Sequence, residues 1–474
     1  MRLVGPGTFA LCSLFLLLMA SLAWSEAHGF LSDDVTHLWA ETILQIDGPA
    51  EFMSTDAFYP PVPFTMSLLL YAVVGDLGVP MPFVISAGLG AVLLVLWFRN
   101  LSQRGAFSTA ASLAAVALLG VNPLFLRAVA DGPGTVLTIL GIWIFTRGLV
   151  NLRLTGNAPD MMKVAVGTIL VALSDGFGLL LCLGALPFMI VAARPSMIAA
   201  SSTGYLVAMF YPIAAAVGSL LFTSMIFDSV LVPNLFEPAT PLDLSQHLWV
   251  LAGLLPMTVI AVLRNVMLPR VFMPLLAALG TVCGAYGLNL FYQLESDPAM
   301  AIAPLLGVAV TAVRYWPLLP LRTAILLTLL AASFFLSALS LRESGTPETR
   351  RWLQAMRGEN TDNYDHTLQT AIFLREKSGI MLDVERNPHI VVALGGLERL
   401  LVAGQREYDW AMQGGMPTAP YVLVPTAPEG AQTTDRVLRR FPQIKAGRLA
   451  GYEELHANAQ WRVFGRTDGM RHAP

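Results

Sequence analysis

Hydrophobic positions dominate the chain as far as Leu341 and fall into repeated runs separated by short polar turns. The runs are Phe9–Trp24, Met81–Phe98, Phe107–Val121, Pro133–Val150, Met162–Ser174, Phe177–Ala193, Tyr205–Phe227, Leu248–Leu263, Phe272–Phe291, Ala301–Val313 and Thr323–Leu341. Their lengths approach the ~20 residues that carry a helix across a bilayer, which predicts about eleven spans. A further run, Pro63 to Val74, is too short for a comfortable crossing and is placed along the outer interface as a juxtamembrane helix.

Charge orients these runs. Lys and Arg mark cytoplasmic loops, and Arg99 and Arg104, Arg147, Arg153 and Lys163, Arg194, Arg264 and Arg270, and Arg314 and Arg322 fall in alternate loops. The remaining loops carry Asp33, Asp34, Asp131, Asp175, Asp228, Asp243, Glu295 and Asp297, with Arg127 as their one basic residue. The N-terminus is therefore expected inside and the C-terminus outside, in a multi-pass membrane protein. The first run also has small residues, Ala20, Ala23 and Ala27, suited to signal cleavage; bulky Trp24 and the spans that follow favour an uncleaved span. Either way, Ser32 onward emerges outside.

Composition agrees: 55% of residues are hydrophobic and 13% charged, well below the charge of a soluble domain. A net charge of −3 argues against a nucleic-acid partner. Cys12, Cys182 and Cys283 lie within apolar runs and offer no disulfide or metal spacing.

Past Ser344 the pattern becomes that of a soluble α/β domain of about 130 residues, enough for its own core. Asn363 to Lys377 reads as an amphipathic helix, His389 to Leu394 as a buried strand and Tyr421 to Pro425 as a second strand. Thr434 to Phe441 reads as a helix and Trp461 to Phe464 as a last strand. The expected division is a transmembrane domain over 1–343, with outer loop 25–80 holding juxtamembrane helices, and an extracytoplasmic domain over 344–474. Gly395-Gly396 is too weak a signal for a phosphate-cradling loop.

Candidate chemistry concentrates between the first two runs, in Ser32-Asp33-Asp34-Val35-Thr36-His37-Leu38-Trp39-Ala40-Glu41. Ser32 or Asp33 suits an N-cap of a helix over Val35 to Ile46, with Asp34 in its first turn. Adjacent like charges also raise one carboxyl pKa, which suits a general base. His37 and Glu41 follow Asp34 on one helix face. That spacing admits a divalent metal with water completing the shell, but no second segment completes a site, and a solvated face is the favoured reading. Arg127 suggests either an anionic ligand such as phosphate or an ion pair with Asp131 one turn away. Asp131 itself suits an N-cap ahead of Pro133. Asp175 reads as a turn residue, and His247, Glu295 and Asp297 are weaker candidates.

With the acidic pair Asp33-Asp34, the segment Tyr59-Pro60-Pro61, the segment Asn122 to Asp131 and the closing strand Trp461 to Phe464, the chain resembles the GT-C superfamily of integral-membrane glycosyltransferases. The likeness is strongest to protein O-mannosyltransferases and to the aminoarabinose transferase that modifies lipid A. The resemblance implies a GT-C-like fold and transfer of a sugar from a polyprenyl-phosphate donor to an acceptor hydroxyl at the outer face of the membrane. The acceptor would be a glycan, a lipid or a protein. A phosphate leaves already ionised and needs donors rather than an acid, whereas the hydroxyl needs a base. Asp33 is then the implied base, with Asp34 or Asp131 as supporting acid and Arg127 as the leaving-phosphate contact; His37 and Tyr59 complete the substrate-binding candidates. Relatives often carry a Lys or Glu where Phe58-Tyr59 stands, and a Lys in the loop that here reads Ser174-Asp175-Gly176. Those departures keep a second class in view, a non-catalytic accessory subunit or a transporter of an envelope polysaccharide or glycolipid. A transporter should show internal repeats and mid-membrane charge, and neither is evident.

Overall fold

In a computed structural model, the structure describes residues 6–48, 60–75, 77–192, 194–227, 253–256, 258, 269–292, 294–295, 297–314, 321–343, 346–426 and 435–467. The chain forms two compact units. One comprises Met1–Ala23, Phe58–Met66 and Pro82–Leu353; the other comprises Trp24–Ala57, Ser67–Met81 and Gln354–Pro474.

The helices, in chain order, are α1 (Pro6–Ala27), α2 (Asp33–Asp47), α3 (Pro61–Val74), α4 (Met81–Arg99), α5 (Thr109–Gly120), α6 (Pro123–Asp131) and α7 (Pro133–Thr155). There follow α8 (Ala158–Ala172), α9 (Gly176–Ala192), α10 (Pro195–Phe227), α11 (Pro269–Tyr292), α12 (Pro298–Ile302), α13 (Leu305–Val313), α14 (Arg322–Glu343) and α15 (Pro347–Met356). Five helical stretches are long and apolar enough to cross a membrane: Thr8–Ala27, Met81–Gln103, Pro133–Thr155, Val271–Tyr292 and Arg322–Glu343. α5 and α6, bent by 57° at their junction, make a sixth if they count as one broken span. Of the other expected spans, Phe177–Ala193, Tyr205–Phe227 and Ala301–Val313 correspond to shorter apolar helices and Met162–Ser174 falls on α8, while most of 248–263 lies outside the described residues. The chain is a polytopic helical membrane protein. Large apolar side chains such as Phe222, Phe291 and Phe335 stand exposed on these helices, as a lipid-facing surface requires.

Close helix approach in the first unit depends on small residues. A methyl group on Gly141 of α7 would stand 2.9 Å from the carbonyl oxygen of Gly167 on α8 and 2.4 Å from the Val171 side chain. Small residues at such a crossing let backbones meet where no water-driven force presses helices together. Two of the arginines that marked inner loops cap helix ends. Arg194 donates to the carbonyls of Arg153 and Leu154 at the end of α7, and Arg322 donates to those of Gly105 and Ala106, just past the π-helical turn Asn100–Arg104 that extends α4. Cations at helix C-termini satisfy carbonyls that have no partner inside the helix.

The second unit is built on a five-stranded sheet ordered β2-β1-β3-β5-β4, where β1 is Ile380–Met381, β2 Leu400–Leu401, β3 Tyr421–Pro425, β4 Tyr452–Ala457 and β5 Trp461–Arg466. β1 runs parallel to β2 and β3, while β5 lies antiparallel between β3 and β4. α16 (Asp362–Leu374) and α17 (Pro388–Leu394) join α2 over one apolar cluster, in which Trp39, Ala40, Ile43 and Leu44 meet Ile390, Val391, Leu423 and Val463. α18 (Arg406–Met412) and α19 (Arg436–Arg440) lie over a second cluster that includes Tyr408, Val422, Leu438 and Phe464. The segment expected as a strand at His389 to Leu394 is instead helical. Pro388 occupies its first turn and Gly395, at φ 74°, terminates it. These are start and stop signals of a helix, and a short apolar run cannot by itself distinguish the two states. The expected helix over Thr434 to Phe441 is shorter, Arg436–Arg440, with the Asp435 carboxylate accepting from the Leu438 amide at 2.8 Å.

Candidate active site

α2 starts where the sequence placed it. The Ser32 hydroxyl accepts from the Val35 amide at 3.1 Å, which makes Ser32 the N-cap and leaves Asp33 and Asp34 in the first turn. Acidic residues there meet the positive end of the helix dipole. The helix is amphipathic: Val35, Trp39, Ala40, Ile43 and Leu44 are buried, while Asp33, Asp34 and His37 keep exposed surface. Burying the apolar stripe therefore presents the acidic pair on the other side.

A partner from much later in the chain faces that exposed side. His389, near the start of α17, brings Nε2 to 3.8 Å from Oδ1 of Asp33. His37 keeps an open edge, but the protein packed around it disfavours its charged form and pushes its pKa below the ordinary imidazole value. The positive fields of His389 and Arg386 push the same way, and Asp33 opposes them. Among the described residues no three His, Cys, Asp or Glu side chains converge to hold a metal ion, so Asp34, His37 and Glu41 do not form the metal site their spacing allowed.

The second cluster is buried in the helical unit. Asn122 caps α6 by accepting from the Leu124 amide at 3.0 Å, and Gly132, at φ 141°, separates α6 from α7. Between these breaks, Arg127 is fully buried. Its Nη1 donates to Asp131 Oδ1 at 2.8 Å, and its Nη2 donates to Asp297 Oδ2 at 3.0 Å and lies 3.3 Å from Glu348 Oε2. The carboxylates are held in turn: Thr135 Oγ1 donates to Asp131 Oδ2 and Thr349 Oγ1 to Asp297 Oδ2, each at 2.5 Å. Asp297 Oδ1 accepts from the Ala299 amide at 3.0 Å, capping α12. One guanidinium thus faces three carboxylates.

Asp175, in the turn between α8 and α9, extends this acidic region. Its Cβ would stand 3.9 Å from a methyl group on Gly134, at the start of α7. Burial, and after it the charge of Asp131, raises its pKa to about 6.

Of the residues the sequence singled out, Asp33, Asp34 and His37 share one helix face, and Arg127 pairs with Asp131 as one of its two readings held. Asp131 ends α6 rather than capping α7, whose N-cap is Gly132. Tyr59, His247, Asp228 and Asp243 lie outside the described residues. By sequence pattern Asp297 is a weak candidate and Glu348 is no candidate at all. Both adjoin a proline at a helix start, Asp297-Pro298 and Pro347-Glu348, a signature shared with Asp131-Gly132-Pro133. His389 was hidden by the strand reading of its segment.

No family model matches this chain, and no curated protein sequence matches it. Its structure is similar to the crystal structure of ArnT from Cupriavidus metallidurans bound to undecaprenyl phosphate. The similarity has a TM-score of 0.58, covers 96% of this chain and 97% of that one, and comes with 12% sequence identity. The chain therefore shares the fold of that ArnT structure.

Proposed function

We propose that this protein is a polyprenyl-phosphate-dependent glycosyltransferase, moving a sugar from a lipid-linked phosphate to an acceptor hydroxyl at the outer face of a bacterial inner membrane. The observation that carries the reading is the acidic pair Asp33-Asp34, fixed by the Ser32 cap on the first turn of a helix whose opposite face is locked into an apolar core. The end-to-end likeness to a fold whose crystal structure holds undecaprenyl phosphate supports the donor class. Asp33 takes the hydroxyl proton as the new glycosidic bond forms at the anomeric carbon, and the bond to phosphate breaks with its electron pair leaving on the phosphate oxygen. Asp34 supports that carboxylate.

Arg127 has a more specific role in this reading. For its guanidinium to meet the leaving phosphate, the phosphate takes the place of Glu348, the longest of its three contacts and the one with the most exposed carboxylate side chain. Asp131 and Asp297 then stay as the two anchors that aim it. A non-catalytic accessory protein is the second reading, favoured by this same engagement of Arg127 with carboxylates. Reconstitution into liposomes with a polyprenyl-phosphate sugar and candidate acceptors separates the two. The transferase reading expects free polyprenyl phosphate to accumulate with acceptor-bound sugar; no turnover across glycan, lipid A and protein acceptors counts against it.

A further inference from the structure

We propose that His389 is a positioning residue for Asp33, setting the orientation of the carboxylate assigned as base; the inference rests on the transferase reading above. His389 Nε2 lies 3.8 Å from Asp33 Oδ1, and the two side chains remain 39% and 55% exposed, so a hydroxyl can reach the pair. The approach is not a meeting of two loose surface chains. α2 and α17 are fixed against each other by Trp39, Ala40, Ile43 and Leu44 packing in one cluster with Ile390 and Val391. The core that buries one side of α2 thereby holds an imidazole beside its first turn, 356 residues further along the chain.

The charged groups around this pair define what it does. α2 contributes Asp33, Asp34 and His37; the 3-10 turn Val384–Arg386 contributes Arg386, and α17 contributes His389. The neutral imidazole beside the Asp33 carboxylate limits its rotamers and aims it at the acceptor hydroxyl. When the imidazole is protonated it pairs with the carboxylate and competes with the acceptor hydroxyl for its oxygens. Acidification through the imidazole range therefore lowers turnover. His37 reports the charge of its neighbour independently of catalysis, because His389 is one of the fields that hold its pKa down.

The test uses the full-length protein in detergent or liposomes with a polyprenyl-phosphate sugar donor. His389→Gln is expected to lower kcat by about 10–100-fold with KM nearly unchanged, the scale at which orienting partners act. The acid limb of its pH–rate profile loses its imidazole component and moves to lower pH. In the same variant the His37 ring resonances titrate at higher pH than in the parent, a readout that needs no turnover. Parental kcat, parental pH profile and an unmoved His37 titration overturn the proposal. If those results accompany an inactive Asp33→Asn variant, only the role of His389 fails and the transferase reading stands. If Asp33→Asn transfers sugar at the parental rate, the assignment of the base fails and the role of His389 fails with it.

Discussion

Nη2 of Arg127 and Oδ2 of Asp297 lie 3.0 Å apart, although 170 positions separate them in the chain. Both side chains are almost wholly shielded from solvent. A guanidinium so placed costs several kcal/mol to desolvate unless its donors are met by carboxylates of good geometry. Here Asp131, Asp297 and Glu348 meet it, and Thr135 and Thr349 hold two of those carboxylates.

Arg127→Met should therefore destabilise the protein severely, by about 3–5 kcal/mol, because it strands buried carboxylates without their counter-charge. Arg127→Met combined with Asp297→Asn should recover part of the loss. Thermal unfolding in detergent reads both, and a single variant that melts with the parent contradicts the hub described here.

Glu348→Gln asks a different question of the same cluster. Neutralising the outermost contact of Arg127 should lower KM for the polyprenyl-phosphate donor by a few-fold while leaving KM for the acceptor alone. An unchanged donor KM would assign Arg127 to structure only.

Asp175 gives a pH dependence with a definite sign. Its pKa is raised from 3.8 to about 6, first by burial and then by Asp131. A raised carboxyl pKa contributes stability that is complete below about pH 3.8 and is lost as pH rises through about 6. Asp175→Asn keeps an oxygen to accept from the Phe177 amide but carries no charge. Its melting temperature should exceed that of the parent at pH 8, with the gap closing by pH 4. A gap that stays constant across that range rules out the electrostatic account.

The cap of α2 can be tested by Ser32→Ala, which removes the acceptor for the Val35 amide and should cost about 1 kcal/mol. Hydrogen exchange should quicken in the first turn of α2, where Asp33 and Asp34 sit, with little change in the sheet.

How much of this was legible in the sequence follows from the range of the forces involved. The membrane helices and α2 are written in local hydropathy and in Ser32-Asp33-Asp34, so their positions could be read directly. The i,i+4 pair Arg127 and Asp131 could be read too, because one helical turn joins them. Asp297, Glu348 and His389 could not, because each gains its meaning from a partner far along the chain, and no spacing reports such a contact. The short helix Pro388–Leu394 is a different kind of miss. Pro388 and Gly395 mark its ends, but the run Ile390 to Leu394 is apolar throughout and fits a buried strand equally well by pattern. The edge strand Tyr452–Ala457 escaped because Glu453-Glu454 interrupts its apolar pattern and a register shift follows at Glu454/His456.

The most direct measurement is sugar transfer by Asp33→Asn beside the parent, assayed with a polyprenyl-phosphate donor under matched expression and melting temperature. The account predicts transfer reduced by about 100-fold or more, the scale of a lost general base, in a protein that folds and inserts as before. Transfer at the parental rate in that variant would contradict it.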